Sequence, residues 1–356
     1  MLSQDGGCPQ TWSSGSVEVA HWRHSRGAST AANRRQYPSW RVHEQALAVG
    51  YRVEDVRAEL STRRWVRLRK GVYIAADDVP TTDPRQRHLV DCLAVLLSLD
   101  DGPVLSHASA ARLHQLIVPR AEPQDVRVTA TDQWRRGRGY RVARAALPTD
   151  DVRPWLAFGT TSVARTLVDC AREWSLTDSV IAIDAAMQGL RVDRAELHRA
   201  VLAGTHRVGI AGAARALALA DGRAESPLET RGRLALLSAG LPRPELQVEI
   251  HDGVGFIGRV DAWYEEAAVA VEFDGRVKYV DPRDASSGEV LWKAKRREDR
   301  LMDAGARVVR IVNDDLGPAW PRRASRIRSL LDAPYPSERR FRTVLSTEPI
   351  LQADVA

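Results

Sequence analysis

Lysine is scarce in this chain. Lys70, Lys278, Lys293 and Lys295 stand against 48 arginines in 356 residues. Arginine is the default cation, so a lysine at a chemically special position is informative. Cysteine is as rare: Cys8, Cys92 and Cys170 lie far apart, with no CxxC pair and no histidine at ligand spacing. That excludes a structural zinc site and a disulfide scaffold, and it fits a reducing, cytoplasmic setting. No apolar run approaches the length of a membrane span, so no membrane partner is expected. Residues 1–40 do not resemble a signal peptide. They are rich in Ser, Gly and Arg without periodicity, which predicts disorder or an artefact of start-codon choice, and residues 333–356 read as a tail.

Hydrophobic content of 44% and charged content of 28% are those of a globular protein. The length exceeds one ordinary core, which predicts two or three domains. The net charge of +6 is uneven. Residues 1–82 carry +4 and residues 83–222 carry +2, whereas 223–356 hold 22 charges of each sign. The basic excess leans towards the N-terminal part and favours a polyanion there.

From His43 the pattern becomes regular. "HEQALAVGY" predicts a short helix stopped by Gly50, and "VEDVRAELSTRR" a second, with Val53, Val56 and Leu60 at helical spacing. "WVRLRKGVYIA" then alternates apolar and basic residues around Lys70-Gly71, the pattern of a β-hairpin. Helix, turn, helix and basic hairpin over 41–80 make a winged helix-turn-helix order. Arg57, Arg63, Arg64, Arg67, Arg69 and Lys70 are the candidate phosphate contacts. The plainer alternative is a solvated basic face. The stretch, with its W-x-R-L-x-x-G-V-Y hairpin, resembles the N-terminal domain of AbiEi-type antitoxins of type IV toxin–antitoxin systems. That resemblance implies binding to operator DNA or to a toxin partner, without catalysis.

Residues 84–222 read as a central α+β scaffold. "RQRHLVDCLAVLLSL", "TSVARTLVDCAREW", "SVIAIDAAMQGL" and "GIAGAARALALAD" predict helices, and "DVRVTA" and "YRVARAAL" predict strands. Ser106 and His107 are adjacent, but neighbours on a helix point about a hundred degrees apart and no Asp is placed to orient the histidine. Ser106 is expected to cap a helix, with His107 in its first turn. "LSHASAARLHQL" and "TSVARTLVD" look like the middle of AbiEi-type proteins.

The chemistry concentrates in 223–332. Ser226-Pro227-Leu228-Glu229 has the form of a capping box, which alone accounts for Glu229. "ELQVEI" predicts a strand, and "GRVDAWYEEAAVAVEFDG" a hairpin. If Glu265-Glu266 form a two-residue turn, Asp261 lies opposite Ala270 and shares a face with Glu272 and Asp274. Three like charges on one edge call for compensation, and Mg2+ or Mn2+ suits an all-oxygen site that also meets phosphate. The alternative is a strand fraying into an Asp-Gly turn. A helix dense in cations follows. Lys295, Arg296 and Arg297 are candidate contacts to a nucleic-acid backbone, and Lys278 is a candidate catalytic cation.

This order, S-P-L-E helix, strand, R-V-D-x-W hairpin to V-E-F-D-G, basic helix and G-A-R-V-V-R-I, resembles the PD-(D/E)XK nucleases, closest to their very-short-patch-repair (Vsr)-like branch. The resemblance implies a restriction-endonuclease-like mixed sheet flanked by helices. It places Asp261 and Glu272 in the metal positions and makes Glu229 the acid from the first helix. One position departs: Asp274 stands where that family carries lysine. The expectation is thus a multi-domain α/β protein whose C-terminal domain hydrolyses phosphodiester bonds in DNA, with RNA also open. The competing reading is a non-catalytic AbiEi-type transcriptional regulator with an inactive nuclease fold.

Overall fold

The computed structural model describes residues 40–42, 52–99, 102–275, 285–334 and 338–345. By internal contacts the chain divides into two compact units, residues 1–100 with 154–158, and residues 101–153 with 159–356. The predicted helix at 43–50 lies outside the described residues, as does Lys278.

In the first unit, β1 (Trp40–Val42) pairs antiparallel with β3 (Val72–Ala75), which pairs in turn with β2 (Trp65–Arg69). The β2–β3 turn is Lys70-Gly71, and Gly71 takes φ 77°, a left-handed conformation that glycine adopts without steric cost. Helix α1 (Val53–Ser61) precedes the hairpin and buries Val56 against Tyr73, with Leu60 and Trp65 at the edge of that small core. Helix α2 (Pro84–Ser98) is opened by Asp83, which accepts from the Arg85 amide, and by proline at its first position.

Residues 104–161 hold a six-stranded mixed sheet, of which Pro154, Trp155 and Phe158 count with the first unit and the rest with the second. Its strands are β4 (Val104–Leu105), β5 (Val126–Ala130), β6 (Arg135–Gly137), β7 (Tyr140–Arg144), β8 (Val152–Trp155) and β9 (Phe158–Thr161), in the order β6-β7-β5-β4-β9-β8. Helix α3 (His107–Leu113) leaves β4. Helices α4 (Val163–Ala171), α5 (Leu176–Gln188), α6 (Arg194–Ala203) and α7 (Ile210–Leu219) bury one apolar cluster, including Leu167, Ile183, Leu197 and Leu217.

Helix α8 (Pro227–Ser238) opens the C-terminal part, followed by β10 (Glu245–Asp252), β11 (Gly255–Tyr264), β12 (Val269–Asp274), α9 (Ala285–Asp303), β13 (Arg307–Val312), α10 (Trp320–Asp332) and β14 (Arg342–Leu345). The sheet runs β13-β12-β11-β10-β14, with β12 and β13 parallel and the other pairs antiparallel. Val269, Val271 and Phe273 pack with Leu228 and Leu236 of α8 and Ile327 of α10. Trp263, Ala268 and Ala270 pack with Leu301 of α9. Gly232 lets α8 lie against the sheet: a Cβ there would sit 2.0 Å from the Phe273 ring. Two charged side chains tie α8 to α5. Arg233, fully buried, donates to Asp184 at 2.8 Å, and Asp184 also accepts from the Thr230 hydroxyl and the Asp221 amide.

The described residues therefore form a mixed α/β protein with one antiparallel and two mixed sheets. No described helix is long and apolar enough to cross a membrane.

Candidate functional site

The β11–β12 connection spans residues 265–268, so the register differs from a two-residue turn. Trp263, not Asp261, lies opposite Ala270, and Ala262 lies opposite Val271. The shift is by two residues, which preserves the face, because strand side chains alternate with period two. Continued by one residue, this register sets Asp261 against Glu272.

At that point the strands part. The Phe273 amide donates to Asp261 Oδ2 at 2.7 Å, in place of a main-chain partner on β11. Asp261 thus sits in a fork between two strands. The break reaches β10 as well. Leu246–Ala262 and Val248–Val260 are paired, which leaves Gln247 across from Asp261. Gln247 has φ 55°, in the left-handed region. Leu246 and Ala262 join one core cluster, whereas Val248 and Val260 join the other. Both strands switch faces at the Gln247–Asp261 pair.

Glu229 comes to this place from α8. Its amide is capped by Ser226 at 3.2 Å, as the sequence predicts. Its carboxylate does not close the expected capping box on the Ser226 amide: Oε2 accepts instead from the Glu225 amide at 2.8 Å and from Gln247 Nε2 at 2.9 Å. Glu225 in turn receives both of its hydrogen bonds from Arg259 at 2.8 Å.

Glu272 is met from α9. Arg297 donates to its Oε1 at 2.5 Å and to the Arg259 carbonyl at 3.1 Å, and Arg310 lies 3.7 Å from its other oxygen. Gly258 makes room for this arginine, since a Cβ there would sit 2.8 Å from Arg297 Cδ. Arg297 therefore turns inward onto a carboxylate, whereas Lys295 and Arg296 are exposed on α9, Arg296 lying 4.7 Å over the exposed Trp292 ring.

Burial is the largest influence on the three carboxyls. Burial raises Glu229 to about 7, opposed by the Glu225 amide and reinforced by the Asp261 charge. Burial also raises Asp261, against the hydrogen bond from Phe273. Glu272 is raised by burial too, with Arg297 pulling it down and Asp261 pushing it up. Three carboxyls shifted the same way identify a place where added positive charge is stabilising.

Among the described residues no group of three or more His, Cys, Asp or Glu side chains is gathered closely enough to hold a metal ion. Asp274 ends β12 opposite Val312, half-buried, and is not drawn into such a group with Asp261 and Glu272. The donor chemistry nonetheless fits a hard cation. Asp261, Glu272 and Glu229 offer carboxylate oxygens, and the buried Gln247 Oε1 has no hydrogen-bond partner.

In the first unit Arg57, Arg63, Arg64, Arg67 and Lys70 are exposed and Arg69 is half-buried. Arg64 is engaged with Glu59 at 2.9 Å. Both α1 and the hairpin carry cations, as expected.

Ser106 precedes α3 as predicted, but its hydroxyl makes no cap. It lies 2.9 Å from His107 Nδ1 and accepts from Thr129 at 2.8 Å. An orienting acid is present after all: Glu173 Oε1 lies 3.5 Å from His107 Nε2, and both of its oxygens receive Arg127. Ser106 and His107 are buried, 0% and 4% exposed, and Glu173 closes this structural network at the surface.

Sequence reasoning missed Gln247, Glu225 and Arg259, and it assigned Arg297 to the nucleic-acid backbone. Gln247 gave no signal within "ELQVEI", because a left-handed residue inside a strand is not written in alternation. Gly258 before Arg259 was the available hint of Arg297's approach.

No family model matches the chain. It is similar to two proteins of Mycobacterium tuberculosis, the uncharacterized protein MT2308 of strain CDC 1551 / Oshkosh and the uncharacterized protein Rv2248 of strain ATCC 25618 / H37Rv. Identity to each is 34% over 172 residues, 48% of this chain. The match spans 61% of the length of each relative.

Proposed function

We propose that this protein binds DNA and hydrolyses its phosphodiester backbone in a divalent-metal-dependent reaction, with the C-terminal sheet as a Vsr-like PD-(D/E)XK nuclease domain and the N-terminal helix and hairpin as a winged helix. The observation that carries this reading is the fork: Asp261 and Glu272 set against each other where β11 and β12 part, with Glu229 delivered from the first helix and a cationic helix alongside. Asp261 and Glu272 hold Mg2+ or Mn2+, assisted by Glu229. A cation so held polarises the scissile phosphate and stabilises charge developing on it. Arg297 keeps Glu272 ionised and fixes its direction. Lys295 and Arg296 meet backbone phosphates, and Arg57, Arg63, Arg64, Arg67, Arg69 and Lys70 do so on the N-terminal unit. Asp274, where lysine is usual, contributes at the rim, and the catalytic cation is Lys278, which lies outside the described residues.

Incubation of the full chain with plasmid, duplex, single-stranded DNA and RNA, each with Mg2+ or Mn2+, tests this. Asp261→Asn and Glu272→Gln should each abolish cleavage. Equal cleavage by the wild type and both variants would assign the activity to a contaminant and sink the reading.

A second reading rests on a specific contact. Arg297 already supplies Glu272 with a positive partner, which suits an inactive nuclease fold retained in an AbiEi-type transcriptional regulator, with operator DNA and a toxin as partners. On that reading the wild type shifts DNA at low salt and cuts none of the substrates with either metal.

A further inference from the structure

Gln247 belongs to this cluster, and the proposed function leaves its chemistry unused. Its side chain is 3% exposed. Its amide has one fixed end: Nε2 donates to Glu229 Oε2 at 2.9 Å, and this contact assigns which atom is nitrogen. The other end, Oε1, is buried without a hydrogen-bond partner. A buried amide carbonyl left unpaired is costly, about 1–3 kcal/mol. The backbone adds to that cost, because φ 55° is sparsely populated for a residue with a Cβ. Strain and an orphaned carbonyl in one residue, opposite Asp261 in the ladder and bonded to Glu229, mark an atom held for a ligand.

We infer that Gln247 Oε1 is a neutral oxygen ligand for a divalent cation, completing a set with the carboxylates of Asp261 and Glu229. The inference rests on the proposed metal site and deepens it. A neutral donor suits this place, because the Asp261 charge already raises the proton affinity of both Glu229 and Glu272. A fourth negative charge would deepen that repulsion, whereas an amide oxygen adds coordination without charge. Mg2+ and Mn2+ take such mixed carboxylate and carbonyl sets. The Nε2 bond to Glu229 orients the amide, as hydrogen-bonded partners of metal ligands generally do.

The test is metal binding, read without any substrate. Mn2+ is titrated into the full chain by calorimetry, with loss of the free-ion paramagnetic resonance signal as a second readout. Wild type, Gln247→Asn, Gln247→Glu and Asp261→Asn are compared. Asn tolerates left-handed backbone and withdraws the carbonyl by one methylene; Glu retains an oxygen at full reach. Far-ultraviolet circular dichroism confirms that each variant is folded. The expected result is binding by wild type, abolished in Asp261→Asn, weakened about tenfold or more in Gln247→Asn, and kept in Gln247→Glu. Binding by wild type and Gln247→Asn with equal affinity overturns the ligand role while leaving the proposed function intact. No binding by wild type overturns both.

Discussion

His107 provides the most direct test of how the buried polar network of the scaffold is built. The Thr129 hydroxyl donates to Ser106 Oγ, which leaves the Ser106 proton for His107 Nδ1 and places the imidazole proton on Nε2, facing Glu173. Protonating Nδ1 would reverse the Ser106 contact and leave the Ser106 hydroxyl proton without its acceptor. Burial acts in the same sense and is the largest cause holding His107 down, to about 4. Asp169 and Glu173 favour the imidazolium, while Arg127 and Arg172 oppose it. The unfolded chain, with a histidine near 6.5, binds this proton first. Stability therefore falls as pH drops from about 6.5 to about 4, at ~1.4 kcal/mol per pH unit, and levels off below. Across that window the loss is about 3 kcal/mol. Urea unfolding followed by tryptophan fluorescence at a series of pH values measures it, with His107→Asn as the reference, since asparagine tolerates the φ of 48° at this position and does not titrate. Other titrating groups cancel in the difference between the two curves. Parallel curves for the two proteins would refute a buried neutral His107.

Three further outcomes follow from the packing and charge. Arg233→Met leaves Asp184 as a buried carboxylate without its ion-pair partner, and should cost about 3–5 kcal/mol in urea unfolding. Adding Asp184→Leu should recover most of that loss, and a double variant as unstable as the single one would show that the pair is not the cause. Gly232→Ala drives a methyl group into the Phe273 ring and should cost about 1–3 kcal/mol; an unchanged midpoint would mean that α8 is free to move off the sheet. Arg67→Ala and Lys70→Ala should each reduce the slope of log affinity for duplex DNA against log salt by about 1, measured by fluorescence anisotropy. An unchanged slope in both would remove the hairpin from the DNA interface.

Much of the fold was legible because it is written in short-range terms. Lys70-Gly71 marks a turn that glycine can make with positive φ, and Ser226-Pro227 opens a helix by local capping. The register of β11 against β12 depends on loop closure and was misjudged by two residues, and Asp261 stands where β11 changes faces, so alternation does not fix its side relative to Glu272. What stayed hidden depends on contacts distant in sequence. His107 meets Glu173, Arg297 meets Glu272, and Gln247 meets Glu229 only once helices have packed on sheets. Gln247 is the sharpest case, because there the structure breaks the alternation that sequence reasoning relies on. Leu246 and Val248 go to different cores, so the residue between them is neither inward nor outward by parity. A strand that gives up regularity where it faces a forked carboxylate sets aside ladder hydrogen bonds and a favourable φ. On the proposed reading a cation bound at the fork would offset that cost, and the irregularity at Gln247 adds to the acidic motif an argument that alternation alone does not contain.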